Sequence, residues 1–332
     1  MNSVIETFYK AFVPQRSEEQ LLAPAKLGGK WGYINKKGEW VIPNHFINAD
    51  HFFEGLARVE TTQGKGFINT EGTMVVLPKY SHASHFSEGL APVQKDQKWG
   101  FLNRRGEVII PFQYEYAYSF TERLARVGLN KHWGYIDRKG TVRIPFRFQE
   151  VKAFHKGIAC AKWDDKFGYI DTEDNILIPN VYEWGHDFIT GLAMVEQGGK
   201  WGYINRNAEL VVPFQYDESW AFSEGLAAVR IDGTWGFIGI KGTLLIPNWF
   251  DWVGMFSCGW SAVGTEGKYG FIDKAGKAVI PFVFDGMPSM TSGFKFGLAA
   301  VIKNGKCGFI DRNGRWIIDP QFEDVRDFQR LG

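Results

Sequence analysis

KWGYINKKGEWVIP, Lys30 to Pro43, returns as KWGFLNRRGEVIIP at Lys98 to Pro111 and as KWGYINRNAELVVP at Lys200 to Pro213. Its glycine falls at Gly32, Gly66, Gly100, Gly134, Gly168, Gly202, Gly236, Gly270 and Gly308, in steps of 34 residues seven times and then 38. A G-L-A-type triplet recurs at Gly55, Gly89, Gly191, Gly225 and Gly297, with degenerate copies starting at Arg123, Gly157 and Gly259. Nine units of one kind fill residues 22 to 328. A fixed period of this length means an array, so the fold follows from the unit.

Thirty-four residues is also the length of a helical tetratricopeptide unit. The residues exclude that reading. Each unit carries a proline near its middle and several glycines, which break helices. Its apolar residues are β-branched or aromatic, as strands prefer. The unit from Leu90 shows three extended runs, LAPVQ, KWGFLN and EVIIPFQY. An N-x-x-G hairpin signal, as at Asn103 to Gly106, separates the second from the third. The spacing predicts an all-β chain, a tandem array of small antiparallel three-stranded units. Aromatic columns supply the core, since a large apolar side chain recurs in every unit after the glycine and again at the closing Phe, as at Phe222. Trp201 is expected in the core as well. One unit cannot cover its own apolar face, so units stack on neighbours.

The W-G-[YF]-I and V-I-P pattern resembles the WG-repeat (KWG) family, over 307 of the 332 residues. The resemblance implies a bacterial-type β-repeat protein, usually without an assigned enzymatic activity and with no shared catalytic residues to carry over. Lys65, Phe167, Tyr269 and Cys307 replace the family tryptophan, and Asp174 and Ala208 replace the hairpin glycine.

Composition bounds the function. Lys plus Arg is 38 against 37 Asp plus Glu, so a generic nucleic-acid binder is not expected. Hydrophobic residues make up 45% and aromatics 16%, which excludes a disordered tail protein. Cys160, Cys258 and Cys307 form no disulfide framework. The N-terminal residues lack a signal-peptide pattern, and no apolar run is long enough to span a bilayer. A cytoplasmic protein is expected, with no membrane contact.

Two regions divide the chain at this level. Residues 1–21 carry Val4, Ile5, Phe8 and Phe12 at helical spacing and read as a capping helix; residues 22–332 form the array. Leu22 to Lys26 matches the first strand of a unit, and the last unit lacks the strand after its closing Phe328. The array is therefore ring-like or an open superhelix, and the open form is favoured, because nine three-stranded blades would be an unusual propeller.

No catalytic, phosphate-binding or metal motif is present in the sequence, so no enzyme, cofactor or metal is expected. The histidines His45, His51, His82 and His85 read as solvated loop residues. The lysines before W-G (Lys30, Lys98, Lys166, Lys200, Lys268 and Lys306) read as partners of the Asp or Asn three residues after the glycine, or of Glu54, Glu88, Glu122 and Glu224. The informative columns are the variable ones, sixteen and eighteen residues past the glycine, which hold Glu, Gly, Lys or Trp interchangeably. Tyr116, Tyr118, Trp184, Trp220 and Trp252, with Trp249 nearby, are expected on one exposed rim as a partner-binding surface. The expected partner is a protein, for instance a bacterial toxin that this chain would inhibit as an immunity protein; a glycan or small ligand stacking on Trp and Tyr is the alternative.

Overall fold

The computed structural model describes residues 21–289 and 293–331. Among them are nine antiparallel sheets in chain order and no helix. The sheets are numbered here by their W-G strands: Lys30–Ile34 is in blade 1, Gly64–Asn69 in blade 2, Lys98–Asn103 in blade 3, His132–Asp137 in blade 4 and Lys166–Asp171 in blade 5. Lys200–Asn205, Thr234–Gly239, Lys268–Asp273 and Lys306–Ile310 follow in blades 6 to 9. The expected capping helix falls on residues outside the described ones, except Leu21, which already belongs to the strand Leu21–Leu27.

Blade 3 shows the plan. His82–Ala83, Leu90–Lys95, Lys98–Asn103 and Val108–Tyr114 lie side by side in that order. The blades are thus four-stranded, and the expectation of three strands is corrected. The extra strand has two residues, begins in the variable column and is too short to show an alternating pattern. It starts one residue after the preceding blade ends, as Glu115 alone separates Tyr114 from Tyr116. In blade 9 the chain is four residues longer, and this strand shrinks to a single bridge, Gly286 to Ile302.

Three recurring interactions explain why the unit takes this form. The fourth strand bulges, so that Phe101 pairs with Ile110 but Trp99 pairs with Tyr114. The bulge brings backbone against the repeat glycine: a Cβ on Gly100 would sit 2.6 Å from the Ile110 carbonyl oxygen, and one on Gly202 would sit 2.7 Å from that of Val212. Only glycine fits there. In the hairpin before the fourth strand, the Asn103 side chain accepts from the Arg105 and Glu107 amides at 2.9 and 3.0 Å. Finally, where the residue after the repeat glycine is tyrosine, its buried hydroxyl donates to a backbone carbonyl: Tyr33 to Asp50, Tyr135 to Lys152, Tyr169 to His186 and Tyr203 to Trp220, at 2.6–2.8 Å. Units without that bond have Phe.

The core lies between blades. Phe101, Ile110 and Tyr114 of blade 3 pack on Ala117, Ala125, Val127 and Ile136 of blade 4, and the same pattern repeats around the chain. The closing phenylalanines are buried, Phe222 included. Trp201 is only half-buried, a correction to its placement in the core.

The array closes. Leu21–Leu27 pairs antiparallel with Asp324–Val325, through Ala25 to Val325 and Lys26 to Asp324, and Leu22 meets Gln329. The C-terminal end thereby supplies the short strand of blade 1, and a nine-bladed ring replaces the favoured open superhelix. The two incomplete ends complete each other, which leaves neither as an unpaired sheet edge. The outer strands keep one exposed edge each, and the recurrent proline sits on it, where its missing N–H blunts further pairing.

Candidate functional site

Antiparallel pairing gives every blade two ends. One carries the start of the short strand, the turn between second and third strands and the end of the fourth; in blade 4 these are Tyr116, Gly128, Trp133 and Phe148 in register. The other end carries the turn leading into the second strand and the hairpin before the fourth.

At the first end a carboxylate column, fifteen residues past the repeat glycine, ties blade to blade. Asp217 accepts from the Asp232 amide at 3.0 Å and takes the Lys200 ammonium at 2.5 Å. Asp285 likewise accepts from the Asn304 amide at 2.7 Å and pairs with Lys268 at 2.7 Å, while Glu183 pairs with Lys166 at 3.5 Å. Lys200 and Lys268 hold Asp217 and Asp285 below the usual carboxylate range. Lys166, Lys200 and Lys268 thus meet this column, not the partners expected from sequence. The Asp or Asn three residues after the glycine caps the hairpin instead. Glu54, Glu88, Glu122 and Glu224 cap the next blade's turn at the other end, with Gly89, Arg123, Gly157 and Gly259 as donors at 2.8–3.0 Å. Equivalent positions of adjacent units approach this closely only near the axis of a ring, so these turns lie toward that axis.

The rim aromatics sit at the first end and separate into two kinds. Tyr116 is 57% exposed and Tyr118 45%, and both rest on the same indole, Trp133, with centroids at 5.5 and 5.8 Å. Tyr116 reaches it across Gly128, whose missing side chain leaves the gap: a Cβ there would meet Tyr116 at 3.0 Å. The Arg126 guanidinium lies 3.8 Å from the Tyr118 ring. Two blades on, Trp184 is 37% exposed, lies under the Lys152 ammonium at 5.2 Å and donates through Nε1 to His186 Nε2 at 3.2 Å. His186 in turn stands against Trp201. Burial and the Lys152 charge lower the His186 pKa.

Trp220 and Trp252 are half-buried. Trp220 packs edge-on to Trp235 and Trp252 edge-on to Tyr269, each in its own blade, and both join the interblade core. Trp249 is 63% exposed on the fourth strand of blade 7, against Phe250. The structure thus groups Tyr116, Tyr118 and Trp184 with Trp133, Arg126, Lys152, His186 and Trp201. Sequence reading did not assign the latter five to the binding rim, and it expected Trp201 in the core; Gly128, a glycine where every other unit but that of Gly264 carries a side chain, was the signal available for Trp133.

His45, His51, His82 and His85 are held apart. His51 Nε2 meets the Asp327 carbonyl at 2.9 Å, His82 Nδ1 meets Gln94 at 2.8 Å, and His85 stacks on Phe53 at 4.3 Å. No three His, Cys, Asp or Glu side chains gather as metal ligands among the described residues. Cys160 and Cys307 are buried and Cys258 is exposed; burial pushes the Cys307 thiol up to about 11.

The sequence profile described as WG containing repeat matches nine consecutive segments, beginning at residues 31–64 and ending at 308–330. No curated protein matches the chain in sequence. Among solved structures, the chain is similar to the crystal structure of the eukaryotic initiation factor, with 11% identity, a TM-score of 0.66 and coverage of 94% of this chain and 98% of that one. The dihydro-heme d1 dehydrogenase NirN, solved in complex with DHE, aligns at 8% identity and a TM-score of 0.49, over 95% of this chain and 75% of that one. Hsv2p of Kluyveromyces lactis aligns at 8% and 0.40, over 69% and 93%. At such identities the likeness to the initiation factor speaks for the fold alone.

Proposed function

The chain belongs to the WG-repeat family, and from that premise we propose that it is a non-catalytic binding protein that docks a protein partner on the rim of blades 4 to 6. The observation that carries this reading is the group of exposed Tyr116, Tyr118 and Trp184 interleaved with the cations Arg126 and Lys152. Tyr, Trp and Arg are the residues that dominate protein-binding hot spots. Rings already stacked on Trp133 lose little rotamer freedom when a partner covers them. Inhibition of a bacterial toxin is one form such binding would take, in a cytoplasmic setting.

The test is a triple variant, Tyr116→Ser with Tyr118→Ser and Trp184→Ser. Partners captured from the source cell by the wild type are identified, and their affinity for both proteins is measured by titration. We expect the variant to bind at least about tenfold more weakly, as loss of aromatic anchors costs about 2 kcal/mol or more each. Its melt should shift by only a few degrees. Undiminished affinity would remove this rim from the interface. A glycan array probed with both proteins separates the alternative: the exposed faces of Tyr116 and Tyr118 would then bind sugar directly, and no protein would be needed.

A further inference from the structure

At the opposite end of blades 4 and 5 lies a cavity of about 650 Å³ lined by Arg123, Arg138, Lys139 and Arg143, with Glu122, Asp137 and Glu173 among its other walls. We propose that this cleft binds a phosphate-bearing ligand.

The repeat provides internal controls for the argument. Arg123 stands where seven other units have glycine: Gly55, Gly89, Gly157, Gly191, Gly225, Gly259 and Gly297. Its φ is 68°, in the left-handed region that a side chain adopts at a cost. Arg143 stands where the eight other units have an aliphatic residue, Ile109 and Leu177 in the neighbouring blades. The fold requires neither arginine, and at Arg123 it is strained by one. Both depart from the repeat in the same unit and line the same cavity.

The cations are also unspent. None of the four has an ion pair among the described residues, whereas Arg147 on the same strand as Arg143 is matched by Asp174 at 2.7 Å. The carboxylates nearby are held by neutral donors and keep their charge. Glu122 accepts from the amides of Lys156 and Gly157, the latter at 2.8 Å. Asp137 accepts from the amides of Lys139 and Thr141 at 2.9 and 3.0 Å. Glu173 accepts from the Thr172 hydroxyl at 2.9 Å. Guanidinium groups match phosphate oxygens in pairs, and the cavity is of small-molecule size. Against the three carboxylates the four cations leave the lining one positive charge in excess.

The test restores the repeat. The double variant Arg123→Gly with Arg143→Val carries the residues that other units use, so it should melt no lower than the wild type. Calorimetric titration with sodium triphosphate should show saturable binding to the wild type, weakened about tenfold or more in the double variant. Added salt should weaken the wild-type binding as well. Vesicles of phosphatidylcholine, with and without phosphatidylinositol bisphosphate, distinguish a lipid headgroup from a free phosphate. Sedimentation with the phosphorylated vesicles that the double variant abolishes assigns the first; triphosphate binding without sedimentation assigns the second. Absence of saturable triphosphate binding at millimolar concentration, equal binding by both proteins, or binding of hexaglutamate without triphosphate would each overturn the proposal.

Discussion

At the residue scale, the family glycine is fixed by a collision rather than by a turn. Gly100 lies under the bulge of its fourth strand, where a Cβ would stand 2.6 Å from the Ile110 carbonyl oxygen. Backbone cannot yield as a flexible side chain can, so Gly100→Ala should cost about 1–3 kcal/mol or more in urea unfolding. An unchanged midpoint would show that the bulge relaxes. Titration adds a second expectation. Burial lowers the pKa of His51, His85 and His186 in the folded chain. The unfolded chain therefore takes up these protons first as the pH falls. Stability is fully present above the unfolded histidine value of about 6.5 and drains away below it. Melting curves between pH 7.5 and about pH 5 should slope downward with acid, and the slope should flatten when His51, His85 and His186 become Gln. A slope unchanged in that variant would assign the acid sensitivity to other groups.

At the element scale, each blade is held by side chains that cap turns. Asn103 closes the hairpin before its fourth strand through two backbone amides. Asn103→Ala should cost about 1–2 kcal/mol, because both amides then depend on water. Urea titration reads that loss; a loss within about 0.3 kcal/mol would mean that the hairpin closes without the cap. This scale also shows what the sequence made legible. Three long strands per unit, their hairpin and their core columns were readable because nine copies average away local noise. The two-residue strand was not, since Tyr116–Ala117 carries no periodicity of its own. Lys200 was given the wrong partner because Asp217 lies past the bulge, seventeen residues on, and only the register brings them together. The rim was half legible. Variability marked Tyr116, Tyr118 and Trp184 as surface, but it could not reveal that Trp220 and Trp252 fold back onto Trp235 and Tyr269.

At the scale of the whole molecule, closure decides what kind of object this is. In a stacked array that stays open, each unit leans only on its neighbours and the ends fray first. In a ring, the last blade also holds the first. Here the seam rests on Ala25 facing Val325, flanked by backbone bonds from Arg326 to Pro24 and from Glu323 to Lys26, both at 2.9 Å. Arg326 adds an ion pair to Asp50, which ties the C-terminal end to blade 2 as well. Ala25 and Val325 form a non-hydrogen-bonded antiparallel pair, for which Cα atoms lie about 4.5 Å apart, within disulfide range. The double variant Ala25→Cys with Val325→Cys should therefore crosslink on oxidation. Because the bond would close a loop spanning nearly the whole chain, it should add up to about 6 kcal/mol, less any strain of fitting two sulfurs into a buried seam. Thiol counting and a reducing-versus-nonreducing gel shift read the crosslink, and paired melts with and without reductant read its stabilisation. An open superhelix would keep these residues far apart, so no intramolecular crosslink would form and the ring would be wrong. A crosslink that forms without raising the melt would mean that the seam is already among the last parts of the molecule to open.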